Sequence, residues 1–218
     1  IILSNFDIKN INLKNFKKAF NRRIKNEPIS KIYNSKSFWK YNFYVNKDVL
    51  DPRPETELII EKVMEFYPNR NKNMKILDLC TGSGCLAITL AKEYLNSEIV
   101  ATDLSDKAIN VAKKNAKIMN CSDQIKFQQC DLIKEIKQFD IVVCNPPYLS
   151  KLEYENTSPE IQYYEPKIAL LAARNGYEFY WKISKILNKL LSKNSKAFIE
   201  IGYSQVKKTI NIFSSMQI

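Results

Sequence analysis

The most chemically pointed stretch of the chain is Asp140-Ile141-Val142-Val143-Cys144-Asn145-Pro146-Pro147-Tyr148. An apolar strand ending at Cys144 would deliver Asn145 to the rim of a sheet, where two prolines stiffen the exit and Tyr148 offers a flat ring with a hydroxyl. Proline lacks an N–H but keeps its carbonyl, so Pro146 can stand as a fixed acceptor beside the side-chain carbonyl of Asn145. Two such acceptors can receive both hydrogens of one planar NH2 group, which selects an amide or an aromatic amine. Nitrogen of that kind is a poor nucleophile because its lone pair is delocalised. Held by both hydrogens before an electrophilic methyl, it is favoured to pyramidalise and attack in line, with orientation and desolvation lowering the barrier. Its proton can leave afterwards, so no strong base is needed beforehand. Tyr148 is read as packing against the planar acceptor, with ordinary core packing as the alternative. A rigid turn without chemistry would account for the prolines but not for the whole Asn-Pro-Pro-Tyr set.

A second constellation lies upstream. Asp78-Leu79-Cys80-Thr81-Gly82-Ser83-Gly84-Cys85 runs from a short strand into a helix, and its glycines let backbone turn sharply and approach a ligand. Asp103 follows Gly84 by 19 residues at the end of the next strand, where a carboxylate can accept from both hydroxyls of a ribose. Together they describe a nucleoside-containing cofactor. Gly82-x-Gly84-x-x-Ala87 also fits a dinucleotide fingerprint. Asp78 favours S-adenosyl-L-methionine over NAD, because a second carboxylate suits the ammonium of an amino-acid-bearing cofactor and repels a pyrophosphate. Simple capping of the loop is the competing reading of Asp78. Asp131 closes a third strand and is assigned to the adenine amino group or to loop capping, with Leu132 beside it to cover the adenine ring.

Composition narrows the chemistry further. Histidine is absent, which removes Ser-His-Asp, Cys-His and His-zinc mechanisms, and no metal site is expected. The five cysteines, Cys80, Cys85, Cys121, Cys130 and Cys144, make no CxxC pair and read as free thiols of a reducing, cytoplasmic compartment. With 45% hydrophobic and 26% charged residues, 218 in all, the chain is that of a soluble domain able to bury a core. No apolar run is long enough to span a membrane, and no secretory leader opens it. The net charge of +11 suits an acidic partner such as nucleic acid or a ribonucleoprotein, but only five of the 34 basic residues are arginines, as a general lysine bias would also give.

These loops need a scaffold. Apolar Ile11, Phe16, Phe20 and Ile24 suggest helix in the first 33 residues, and the aromatics of Ser37 to Val49 a strand or hairpin. Asp51-Pro52-Arg53-Pro54 forces extended or turning backbone, then Glu55-Thr56-Glu57 opens a helix to about Phe66. Beyond it, strands at 75–79, 99–102, 125–127, 139–144 and 196–201 alternate with helices at 85–94, 107–119, 177–191 and 205–213, leaving a long loop before residue 177. Such a series makes an α/β fold, an open, doubly wound, mostly parallel sheet covered on both faces. The expected organisation is a remnant N-terminal helical and hairpin segment over 1–50 and a methyltransferase domain over 51–218 that stops short of a C-terminal strand pair.

From about Glu27 onward the chain resembles the class I S-adenosylmethionine-dependent methyltransferases, and within them the protein-glutamine N5 methyltransferases of peptide chain release factors. Asn145-Pro146-Pro147-Tyr148 is shared with N6-adenine and some guanine-N2 enzymes, whereas Pro52-Arg53-Pro54-Glu55-Thr56-Glu57 and Glu165-Pro166-Lys167-Ile168-Ala169-Leu170 resemble segments of the release-factor family. The resemblance implies cofactor binding by Cys80, Thr81, Gly82, Ser83 and Gly84, ribose binding by Asp103, an adenine side at Asp131 and Leu132, and acceptor binding by Asn145, Pro146, Pro147 and Tyr148. It implies as acceptor the glutamine of a Gly-Gly-Gln loop in a release factor. The chain departs from the pattern at Cys80, where the family usually has glycine, around Glu27-Pro28-Ile29-Ser30-Lys31-Ile32, and at Ala172-Ala173-Arg174-Asn175-Gly176. Two alternatives stand beside this reading: an N-methyltransferase for an exocyclic amine of adenine or guanine, and a catalytically impaired binding protein that keeps the fold.

Overall fold

The computed structural model describes residues 12–215; Ile11 and the chain end at Ile218, on which two of these expectations bear, lie outside the described residues. The first helix, α1 (Leu13–Arg23), is capped by Asn12, whose side chain accepts from the Asn15 N–H at 3.1 Å. A short α2 (Ile29–Tyr33) follows Pro28 and leads into an antiparallel hairpin, β1 (Ser35–Phe38) and β2 (Tyr41–Tyr44). Pro54 begins a tight 3-10 turn (Pro54–Thr56), and its fixed φ launches α3 (Glu57–Phe66).

From there strand and helix alternate as the periodicity predicts: β3 (Lys75–Leu79), α4 (Cys85–Glu93), β4 (Glu98–Asp103), α5 (Asp106–Ile118), β5 (Ile125–Gln129) and β6 (Phe139–Cys144). After two short helices, α6 (Lys151–Glu155) and α7 (Pro159–Tyr164), come α8 (Glu178–Leu190), β7 (Leu191–Ile199) and α9 (Val206–Ser214). All neighbours in the five-stranded sheet are parallel, in the order β5-β4-β3-β6-β7. The direction of winding reverses between β3 and β6, so a crevice opens at their carboxyl ends, where doubly wound sheets bind ligands.

Alternation along the strands sorts the core into two layers. Ile76, Ile141 and Val143 face α3, α4, α5 and the hairpin, whose Phe38 and Phe43 are wholly buried among them. Leu77, Leu79, Val142 and Cys144 face the other way, onto Ile183, Leu187 and Leu190 of α8. Truncating wholly buried Leu77 to alanine would cost about 3 kcal/mol.

Two stretches differ from expectation. The loop before residue 177 contains α6 and α7; Ser150 and Glu153 form a reciprocal capping box and Pro159 occupies the first turn of α7. Strand β7 starts at Leu191 rather than Lys196, because Leu191 already pairs with Phe139 before Ser192 to Ser195 bulge out. That polar run holds itself together, with Ser192 and Ser195 hydroxyls 2.5 Å apart and Asn194 at a φ of 69°. Among the described residues no helix is long and apolar enough to cross a membrane.

Candidate active site

Cys80 to Ser83, the part of the glycine loop expected to face a cofactor, line the crevice. Thr81 N–H donates to Thr102 O, and Gly82 N–H donates to Asp103 Oδ2, both at 2.9 Å, which binds the loop after β3 to the end of β4. Asp103 Oδ1 accepts from Ser105 N–H at 2.9 Å, so each carboxylate oxygen keeps further lone-pair capacity for a ligand. Burial pushes the Asp103 carboxyl up, and the backbone N–H groups pull the other way.

Cys80, Gly82 and Gly84 all have left-handed backbone, with φ of 59°, 56° and 82°. A non-glycine residue there costs on the order of 1 kcal/mol, so Cys80 occupies a site for which glycine is the relaxed choice. Its side chain packs with the α8-facing core beside buried Cys144 while also lining the crevice. Gly84 serves packing: a Cβ there would lie 2.9 Å from Ile88 Cδ1 and 3.1 Å from Ala112 Cβ.

One cavity is lined by Cys80, Thr81, Gly82, Ser83, Asp103, Asn145 and Pro147, together with Arg53 and Thr56 of the linker. Asp78, Gly84, Asp131, Leu132, Pro146 and Tyr148 are not among its lining. Asp78 is fully buried on the α4 side of β3, where Oδ2 accepts from Thr81 Oγ1 at 2.5 Å and Ala87 N–H at 3.1 Å. Its Oδ1 has no hydrogen-bond partner among the described residues, and burial pushes its carboxyl up to about 7. Asp131 pairs with Lys182 at 3.0 Å, and Leu132, with a φ of 61°, packs into the α8-facing core.

In the loop from Asn145 to Tyr148, Asn145 Nδ2 donates to Thr56 Oγ1 at 2.9 Å, turning Oδ1 away. Neither Asn145 Oδ1 nor the Pro146 carbonyl accepts a hydrogen bond from the described residues. Thr56 Oγ1 donates in turn to Glu200 Oε2 at 2.6 Å, and the Tyr148 hydroxyl donates to Glu200 Oε1 at 3.2 Å. Burial, with Glu200 alongside, raises the Tyr148 hydroxyl to about 12, which keeps it a donor at neutral pH. Gln205 Nε2 donates to the Tyr148 carbonyl at 2.8 Å, and Gly176 passes so close that a Cβ would lie 2.3 Å from that oxygen.

Thr56, Glu200 and Gln205 have no role in the sequence reading. Glu200 had a signal, a carboxylate directly after an apolar strand in a parallel sheet; Thr56 lies inside the Pro52-to-Glu57 motif, and nothing local points to Gln205. Three motifs far apart in sequence also meet. Lys31 Nζ, nearly inaccessible, lies 2.7 Å from Asp51 Oδ1 and 3.1 Å from Glu165 Oε2, and Arg53 Nη2 lies 3.1 Å from Glu165 Oε1. Lys31 also donates to the carbonyls of Asn46 and Val49, at 2.8 and 2.6 Å. This buried cluster ties the linker that carries Thr56 to the segment after α7.

A parallel sheet with a glycine loop at its switch point and a carboxylate on the next strand defines a nucleoside-cofactor fold of the class I methyltransferase type. Residues 47–161, more than half of the chain, match the methyltransferase small domain family, and the chain belongs to that family. It is 35% identical to a release factor glutamine methyltransferase of Clostridium acetobutylicum over 96% of this chain and 75% of that protein. It is 37% identical to a bifunctional methyltransferase of Rickettsia typhi over 98% of this chain but only 45% of that protein, so the chain spans less than half the length of such relatives. In structure it is similar to the hMettl16 catalytic domain solved with a MAT2A 3′UTR hairpin, with a TM-score of 0.61 at 21% identity over 78% of this chain and 66% of that one. That likeness concerns the fold. The cofactor is S-adenosylmethionine, and the dinucleotide reading of the glycine loop is set aside. Its residues suit that group: left-handed backbone at Gly82 clears an approach, and Asp103 retains acceptor capacity.

Proposed function

We propose that this chain methylates the side-chain amide nitrogen of a glutamine in a peptide chain release factor, on its Gly-Gly-Gln loop, in the cytoplasm. The observation that carries the reading is the pair of unpartnered acceptors, Asn145 Oδ1 and the Pro146 carbonyl, beside the cavity lined by the glycine loop. The similarity to release factor glutamine methyltransferases over nearly the whole chain supports this acceptor.

Bound S-adenosylmethionine supplies an electrophilic methyl on a sulfonium sulfur. Asp103 would hold its ribose hydroxyls, and the backbone of Cys80 to Ser83 would line its path. Asn145 Oδ1 and Pro146 O would each take one hydrogen of the acceptor NH2, fixing the nitrogen's orientation and opposing delocalisation of its lone pair. Tyr148, held as a donor by Glu200, would flank the planar amide. As nitrogen gains positive charge its hydrogens become stronger donors to the same two oxygens, so the cradle binds the transition state more tightly than the ground state.

The test is methyl transfer from labelled S-adenosylmethionine to an intact release factor, to one with the Gly-Gly-Gln glutamine replaced, and to a nucleic-acid pool. Label on the intact release factor alone is expected. Label on nucleic acid would move the assignment to a base methyltransferase, and cofactor binding with no transfer would favour a binding protein.

A further inference from the structure

We propose that Glu200 is a positioning residue that sets the polarity of the Asn145 amide, so that its oxygen rather than its NH2 group faces the acceptor nitrogen. The inference deepens the methyl-transfer reading and rests on it. An amide has two ends of nearly equal shape, one accepting and one donating, and only one orientation can receive an N–H.

Thr56 Oγ1 stands between the two residues, 2.6 Å from Glu200 Oε2 and 2.9 Å from Asn145 Nδ2, and Thr56 is almost fully buried. A hydroxyl has a single hydrogen. Opposite an ionised carboxylate, which only accepts, that hydrogen goes to Glu200 and the lone pairs of Thr56 face Asn145. Asn145 must then present its NH2 to Thr56, which leaves Oδ1 for the substrate. The second Glu200 oxygen takes the Tyr148 hydroxyl, so one carboxylate orients both side chains of the acceptor loop. The main chain reinforces this, since Glu200 N–H donates at 2.9 Å to the carbonyl of Cys144, the residue before Asn145.

Protonation would undo the arrangement. A neutral Glu200 can give its own hydrogen to Thr56, which frees the Thr56 hydrogen to point at Asn145 and removes the preference. Burial raises the Glu200 carboxyl, the Thr56 and Tyr148 hydrogen bonds lower it, Glu55 raises it and Arg53 lowers it. Tyr180, Cys85 and Cys144 are the other titratable groups close by, and burial holds all three above their ordinary values. Asp78, whose field also reaches Cys85 and Cys144, is a second buried carboxyl raised by burial, and Glu200 is the one joined to the Asn145 amide through Thr56.

The experiment follows the Asn145 side-chain NH2 by NMR in asparagine-labelled protein, assigned by its loss in Asn145→Ser, alongside transfer kinetics on a release factor. In the parent the NH2 pair is expected at hydrogen-bonded positions that titrate on acidification. Thr56→Val and Glu200→Met should move it to solvent-like positions and lower kcat about 10- to 100-fold, with cofactor affinity little changed. Thr56→Ser should restore both. Glu200→Gln, which still offers one carbonyl oxygen to Thr56, should keep the position but lose the titration. Unchanged Asn145 resonances in Thr56→Val and Glu200→Met, or the same titration in Glu200→Gln, would overturn the inference. If the folded parent transfers no methyl to the release factor, the functional proposal fails while the resonances still decide the relay.

Discussion

Gly82 donates its backbone N–H to Asp103 Oδ2 at 2.9 Å, so the glycine loop after β3 and the carboxylate ending β4 form one unit before any ligand arrives. Asp103→Ala removes that acceptor and the one used by Ser105. Cofactor affinity is expected to fall about 10- to 100-fold, as for loss of charge-assisted hydrogen bonds. Isothermal titration with S-adenosylmethionine reads this directly, and an unchanged Kd would refute the assignment.

Cys80 sits at a φ of 59°, a conformation that penalises branching at Cβ. Cys80→Gly should unfold within about 1 kcal/mol of the parent, because relief of strain offsets the added chain entropy. Cys80→Val should be less stable than the glycine variant by about 2 kcal/mol. Urea unfolding of the three proteins separates these outcomes; equal midpoints would show that the loop relaxes freely.

Gly176 approaches the Tyr148 carbonyl and Gln205 Nε2 so closely that a Cβ would lie 2.3 and 2.6 Å away, at a φ of 88°. Gly176→Ala should therefore cost about 3 kcal/mol and displace the loop that carries Asn145 and Tyr148. Thermal unfolding with a transfer assay is the check, and a parent-like melting temperature would contradict the packing described.

Burial pushes the Asp78 carboxyl up to about 7, against hydrogen bonds from Thr81 and Ala87 that favour its charge. The folded protein thus holds this proton more tightly than the unfolded chain, whose aspartate titrates near 3.8. Its contribution to stability is full below the unfolded value and is lost as pH rises through about 7. Asp78→Asn, neutral throughout, should flatten that decline in urea unfolding measured from about pH 4 to about pH 7.5, across the interval between the unfolded and folded values. The same slope in both proteins would place the titration elsewhere.

Much of this architecture was legible because one physical signal dominated at each place. Buried parallel strands such as Ile141-Val142-Val143 read as short apolar runs, and Pro54 can hold only the first turn of a helix. The bulge at Ser192 to Ser195 was not legible, since its placement depends on the pairing of Leu191 with Phe139 across the sheet. In the candidate site, Asn145 was singled out by the two prolines that follow it. Thr56 and Glu200, 144 residues apart, acquire meaning only when α3 and β7 converge on Asn145. Lys31, Asp51 and Glu165 likewise look like surface charges until the fold removes them from water together.

The central claim is tested most directly by mass spectrometry of a release factor incubated with the protein and S-adenosylmethionine, comparing the parent with Asn145→Ala. One added methyl on the Gly-Gly-Gln glutamine is predicted for the parent, with at least a hundredfold slower transfer for Asn145→Ala, on the order of a lost transition-state contact, and equal cofactor affinity. Methylation at any other residue, or equal rates in the two proteins, would contradict the account.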